Sequence, residues 1–249
     1  MSTKDLTPDN IQQHVSATNL PDAPGAVQAE VVDQVDDRSQ FLRRTYTHLM
    51  GAILFFTGLE WAMFQTPFAE MFAVFMLQTS WLGVLAAFLV VAFIASSVAH
   101  RVESKGAQYA ALGAYVVAQA IIFIPMFYIA LAVDSKIITL SVAVTLGAFA
   151  ALTAVAMLSG RDFTFLKGLV RWGALVALAT IVAGLAFGFH LGTYFSMGMI
   201  GLAGAAILYD TSKVLKSYPD DRYIAAALEL FASIALMLWY VMRFFLSRR

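Results

Sequence analysis

From Phe41 onward the chain alternates long apolar runs with short charged hinges. A helix needs about 20 apolar residues, within a range of about 17–25, to cross roughly 30 Å of hydrocarbon. Seven runs meet that requirement: Tyr46–Phe64, Trp81–Ala99, Tyr109–Val133, Ile137–Leu158, Leu169–Phe189, Thr193–Tyr209 and Tyr223–Leu246. Strands of a membrane barrel would be about 10 residues long and strictly alternating, which these runs are not. The pattern predicts an all-α membrane protein with seven transmembrane helices in a domain of residues 41–249. Residues 1–40 read differently. They carry Asp5, Asp9, Asp22, Glu30, Asp33, Asp36 and Asp37 against Lys4 and Arg38 and show no apolar helical period. Such a segment buries too little surface to offset the entropy of ordering, so a flexible, disordered acidic tail is expected. A signal peptide would need a basic start and an early apolar run, so the tail reads as a solvated leader.

Composition agrees with the pattern. The 249 residues are 60% hydrophobic and 13% charged, with a mean hydropathy of +0.76, against roughly 45–50% apolar and about 25% charged in soluble domains. The bilayer is therefore the first expected partner. A formal net charge of zero argues against nucleic acid, and the absence of cysteine excludes disulfides, thiolate metal sites and a cysteine nucleophile. Lys and Arg cluster in alternate hinges: Arg43 and Arg44, then Arg101 and Lys105, then Arg161, Lys167 and Arg171, then Lys213, Lys216 and Arg222. The other hinges hold only Lys136. This asymmetry places the N-terminus in the cytoplasm of a plasma (inner) membrane, multi-pass protein. Seven crossings leave Arg248 and Arg249 outside, against the rule, and a last helix that enters and returns is the alternative.

Several features have packing explanations. Pro125 removes a backbone donor and is expected to kink the third span. Gly198, Gly201, Gly204 and Ala205 make the sixth span thin enough for close helix contact. Trp61, Trp81, Tyr109 and Trp172 suit the headgroup zone. His48, His100 and His190 lie near span ends without metal-ligand spacing and read as structural or solvated.

The acids are more informative, because a carboxylate in hydrocarbon tends to be protonated, paired or placed on a watery path. Asp210 ends the sixth span and Glu229 begins the seventh, so both lie at one membrane level. Ser233 is one turn beyond Glu229 on the same face. The plainer reading of Asp210 is a helix end facing water, neutralised by Lys213. Glu60 reads as an interfacial acid at the outer end of its span, and Arg243 as a side chain that snorkels outward.

The segments "AILYDTSKV", "AALELFASIALMLWYVMRFF", "GRDFTFLKGL" and "FLRRTYTHL", with Pro125 in "FIP", resemble the bacterial branch of the Bax inhibitor-1 family (transmembrane Bax inhibitor motif proteins) from about Phe41 to the C-terminus. The resemblance implies a seven-helix fold with the last helix central, a pH-sensitive calcium leak, and in some members association with a membrane-bound AAA protease. It also implies a pair of aspartates, one at Asp210 and the other at the position of Ser233. That second aspartate is missing here. Glu229, one turn away, is the substitute the residues themselves suggest, and Arg101 is the nearest match to the family's basic partner. The expected pH switch and ion path is thus Asp210, Glu229, Ser233 and Arg101, with Asp210 and Glu229 as transient calcium contacts and no resident cofactor. Two carboxylates in a partly dry site share a proton, and calcium favours oxygen ligands.

Other classes fit less well. An intramembrane aspartyl protease needs a second aspartate in a neighbouring span, and the last span has none. A zinc protease needs H-E-x-x-H, and a retinal protein needs a lysine in the last helix; neither is present. An enzyme is not expected. The alternative to a leak is a non-conducting regulator that binds a membrane-bound AAA protease.

Overall fold

A computed structural model of the protein describes residues 24–78, 81–189 and 191–248, without the side chains of residues 24–36, 81 and 82. His190 lies outside the described residues. The elements are α1 (Pro24–Phe64), α2 (Phe68–Gln78), α3 (Trp81–Arg101), α4 (Lys105–Val133), α5 (Lys136–Leu158), a 3-10 turn (Thr164–Leu166), α6 (Lys167–Phe187), α7 (Thr193–Lys216) and α8 (Tyr223–Leu246). Among the described residues, six stretches are long and apolar enough to cross a membrane: Asp37–Phe64, Gly83–Arg101, Lys105–Val133, Lys136–Leu158, Thr164–Phe187 and Tyr223–Leu246. The seven-span expectation is met at the level of an all-α membrane protein. The run Thr193–Tyr209 does form a helix, the 24-residue α7, but it carries Gly, Ser, Tyr, Asp and Lys and is not among the six.

The first helix of the described residues runs from Pro24, so residues 24–40, expected to be part of a flexible tail, are helical where described. Proline suits the first helical position because its missing N–H would have no partner there. Residues 1–23 lie outside the described residues. The chain divides into two units between Gln40 and Phe41, and the second holds the features described below.

The last helix forms the centre of this unit. Along α8, Ile224, Ala225, Ala226, Leu230, Phe231, Ile234, Met237, Val241 and Met242 are all buried. One set packs with Leu49, Ala52 and Phe56 of α1, Ala95 and Ala99 of α3, and Val116, Ala120 and Phe123 of α4. Another, Met237 and Val241, packs with Ala203 and Ile207 of α7, with Leu152 of α5 beside them. A helix of 24 residues at about 1.5 Å per residue is about 36 Å long. It is continuous, so the enter-and-return alternative does not describe it. Large apolar side chains instead cover the outside: Phe93 is 73% exposed, Ile94 55%, Val176 62% and Leu54 64%, as expected where hydrocarbon is the solvent.

Other expectations are refined. Helix α4 runs unbroken through Pro125. A Cβ at Gly204 would meet Leu152 and Met237 at ordinary contact distance, whereas at Gly198 or Gly201 it would meet nothing within 4 Å. The tight approach is at Gly173 of α6, where a Cβ would lie 2.5 Å from Leu202 of α7. Close contact between α6 or α7 and a neighbouring helix therefore falls at Gly173 and Gly204 and not along a stripe of α7, while Gly184 of α6 lies close to the Phe189 carbonyl oxygen. The α6 helix stops at Gly188, φ +73°, because a left-handed residue closes a helix and glycine adopts it freely.

Candidate functional site

Buried positions on α7 include Ser196, Met199, Ala203, Ile207, Asp210 and Val214, spaced by three or four residues as one helical face. Asp210 is therefore carried inward by the same stripe that packs α7 against α8. On α8, Ser233 precedes Met237 and Val241 by one and two turns. Since Met237 and Val241 meet Ala203 and Ile207, the next contact along the seam is Asp210 with Ser233. Ser233 Oγ donates to Asp210 Oδ2 at 2.5 Å, and Asp210 is only 8% exposed.

Glu229, one turn earlier on α8, faces a different set of partners. Lys213 Nζ of α7 donates to both of its oxygens at 2.9 Å. His100 Nε2 of α3 lies 2.6 Å from Glu229 Oε1, and His100 Nδ1 lies 2.7 Å from the Ser96 carbonyl oxygen. A carbonyl can only accept, so Nδ1 carries a proton. A carboxylate also only accepts, so an ionised Glu229 requires a proton on Nε2 as well, which makes the ring an imidazolium. Tyr218 OH, on the α7–α8 connector, is 2.8 Å from the same Nε2. Burial raises the Tyr218 phenol further above its ordinary range, so it remains protonated and can donate to Nε2 when the ring is neutral. Lys213 Nζ also sits 4.8 Å over the Tyr218 ring, a cation–π distance.

The connectors fix this end of the bundle. Asp162 Oδ1 accepts from the Thr164 N–H at 2.9 Å and from Ser212 Oγ at 3.1 Å, and the Phe163 N–H donates to Ser212 Oγ at 3.0 Å. The Thr164 bonds, foremost its backbone N–H, hold the Asp162 carboxyl below its usual range. Ser212 is two residues past Asp210, so the α5–α6 connector is tied directly to the part of α7 that carries the acid. Arg222 Nη1 donates to the Val102 carbonyl at 2.9 Å, and Lys105 Nζ donates to the Asp221 carbonyl. These bonds hold the α7–α8 connector against the ends of α3 and α4.

Of the four expected switch residues, the fold brings three together in two bonded units. Asp210 takes Ser233 as its direct partner, so Glu229 does not occupy the place opposite it. Glu229 is held by Lys213, which the sequence suggested as the neutraliser of Asp210. Arg101 is exposed, and its neighbour His100 supplies the base. The sequence also passed over Tyr218. Among the described residues, no three His, Cys, Asp or Glu side chains are grouped to hold a metal. His48 is structural, bonded to the Arg44 carbonyl at 2.6 Å and to Tyr109 OH at 2.8 Å. Arg243, expected to snorkel, is half-buried and donates to the Leu191 carbonyl at 2.8 Å.

Residues 38–249 match the family model described as Inhibitor of apoptosis-promoting Bax1. The uncharacterised protein PA2604 of Pseudomonas aeruginosa (strain PAO1) is 31% identical over 108 residues, covering 43% of this chain and 48% of that protein. The match thus spans about half the length of the curated relative.

Proposed function

The chain belongs to the Bax inhibitor-1 family, and from that premise we infer that it is a pH-sensitive leak for calcium across the inner membrane. In this reading α7 completes a set of seven spans, the N-terminus is cytoplasmic, and the end carrying Asp210, Glu229 and His100 faces the cytoplasm. The observation that carries it is the two acids of α7 and α8, Asp210 buried and Glu229 half-buried, each held by a bond that a proton can change. Asp210 and Glu229 offer oxygen ligands of the kind calcium prefers.

The bond from His100 to Glu229 ties α3 to α8, and Lys213 ties α7 to the same carboxylate. An imidazole changes its charge near ~6.5 in water, and this ring is the group that joins α3 to Glu229. The bridge is strongest when the ring is charged and Glu229 is ionised. As pH rises through the ring's titration, Nε2 loses its proton, Tyr218 OH donates to it in place of the bond to Glu229, and the α3–α8 tie is lost. The titratable and charged groups around the ring are Glu229 of α8, Lys213 of α7 and the neutral phenol of Tyr218 on the connector. The proposal is that loss of the tie favours the open state.

The test is calcium entry into liposomes containing the purified protein. Flux above that of protein-free liposomes, abolished by Asp210→Asn, supports the leak. No flux at any pH, together with specific co-purification of a membrane-bound AAA protease, would instead support the non-conducting regulator. A cysteine placed beside Lys136 tests the orientation, because it should label from outside intact cells; labelling only after permeabilisation would reverse the topology.

A further inference from the structure

At the opposite end of the bundle, Glu60 is 7% exposed, and neither of its carboxylate oxygens has a hydrogen-bond partner. It was expected to be an interfacial acid facing outward. It is buried because it continues the inward stripe of Leu49, Ala52 and Phe56 along α1, spaced by three or four residues. Glu60 lines a cavity of about 410 Å³ whose walls include Phe56, Phe64, Phe127 and Phe231. Thr145, 1% exposed, lines the same cavity with its hydroxyl also unpartnered.

We propose that this cavity is a binding site for a lipophilic organic cation, with Glu60 as its counter-ion and the phenylalanine rings around its apolar body. An isolated buried carboxylate is unfavourable unless paired, and a neutral lipid chain would fill the space while leaving both oxygens unsatisfied. An anion would be repelled. A calcium ion needs six to eight oxygens, more than Glu60 and the wall threonines, Thr57 and Thr145, provide. A bulky cation needs a single negative charge and benefits from aromatic faces, and the cavity offers both. Glu60 belongs to neither bonded unit of the acid pair, so the inference goes beyond the leak and does not depend on it.

The test uses purified full-length protein and radiolabelled tetraphenylphosphonium in a scintillation proximity assay, with tetraphenylborate as a ligand of nearly the same shape and opposite charge. The expected result is saturable binding that unlabelled tetraphenylphosphonium displaces and tetraphenylborate does not, weakened at least tenfold in Glu60→Gln. Equal displacement by the two ions would identify an unselective apolar crevice and overturn the proposal, as would absence of saturable binding or unchanged affinity in Glu60→Gln. Displacement by millimolar calcium, but not by sodium at equal ionic strength, would assign Glu60 to an inorganic ion path and also overturn it. If Glu60→Gln does not fold, the wild-type comparison of the two ions decides the matter.

Discussion

Glu229 and Glu60 both point into the bundle from helices that line its core, yet they differ in what surrounds them. Glu229 accepts from Lys213 and is bonded to His100, while Tyr218 closes the group behind the histidine. Glu60 has an apolar cavity and no partner. A buried ion pair contributes little net stability, but breaking it by removing one member is expensive. The satisfied acid is therefore part of the structure that holds α3, α7 and α8 together. The unsatisfied acid contributes nothing to that structure, and its desolvation opposes folding. In the binding site proposed above, that acid serves as the counter-ion of the bound cation.

The largest expected effect breaks the satisfied end. Lys213→Met leaves Glu229 with His100 alone and should destabilise the protein by about 3 kcal/mol, at the low end for a broken buried pair because the site is partly exposed. Thermal unfolding in detergent measures it, and Lys213→Met combined with Glu229→Gln should recover part of the loss. Strictly additive losses would show that the two side chains are not coupled.

Next, His100→Gln removes the charge-assisted bond between α3 and α8, with an expected loss of about 1.5–3 kcal/mol. The wild-type advantage over this variant should be largest below the imidazole's titration and should shrink as pH rises through it, because the bridge is complete only while the ring is charged. A pH-independent difference in melting temperature would place the histidine's role in packing.

Ser233→Ala converts Asp210 into a second Glu60, buried with one fewer donor. A loss of about 1–2 kcal/mol is expected, again by thermal unfolding. No change would mean that Asp210 finds another partner at once. The smallest effect is expected at the unsatisfied end. Glu60→Leu removes a buried group without a partner and should be neutral or stabilising by up to about 1 kcal/mol. A loss comparable to that of Lys213→Met would erase the contrast between the two acids.

The same residues show how much of this was legible in the chain. The apolar runs became helices because length and hydropathy dominate in a bilayer; Asp210 was legible as an acid at the end of an apolar run, and Ser233 as the residue one turn beyond Glu229 where the family resemblance implies an aspartate. Arg101 is one residue from the base that bonds Glu229, and on a helix one residue turns a side chain by about 100°, here from half-buried to exposed. His100 itself was missed because its partner is 129 residues away, beyond any local pattern. Lys213 looked like the neutraliser of Asp210, three residues before it. Its reach toward Glu229 depends on how α7 and α8 pack. Glu60 looked interfacial from its place near the end of α1, and only the neighbours on α4, α5 and α8 make it buried.

Calcium flux into proteoliposomes, measured between pH 6 and 8 for the wild-type protein and for His100→Gln, tests the central claim most directly. The account predicts that wild-type flux rises with pH across this interval and that the variant conducts at a level that no longer changes with pH. A wild-type flux that falls as pH rises, or a His100→Gln protein that keeps the wild-type profile, would contradict it.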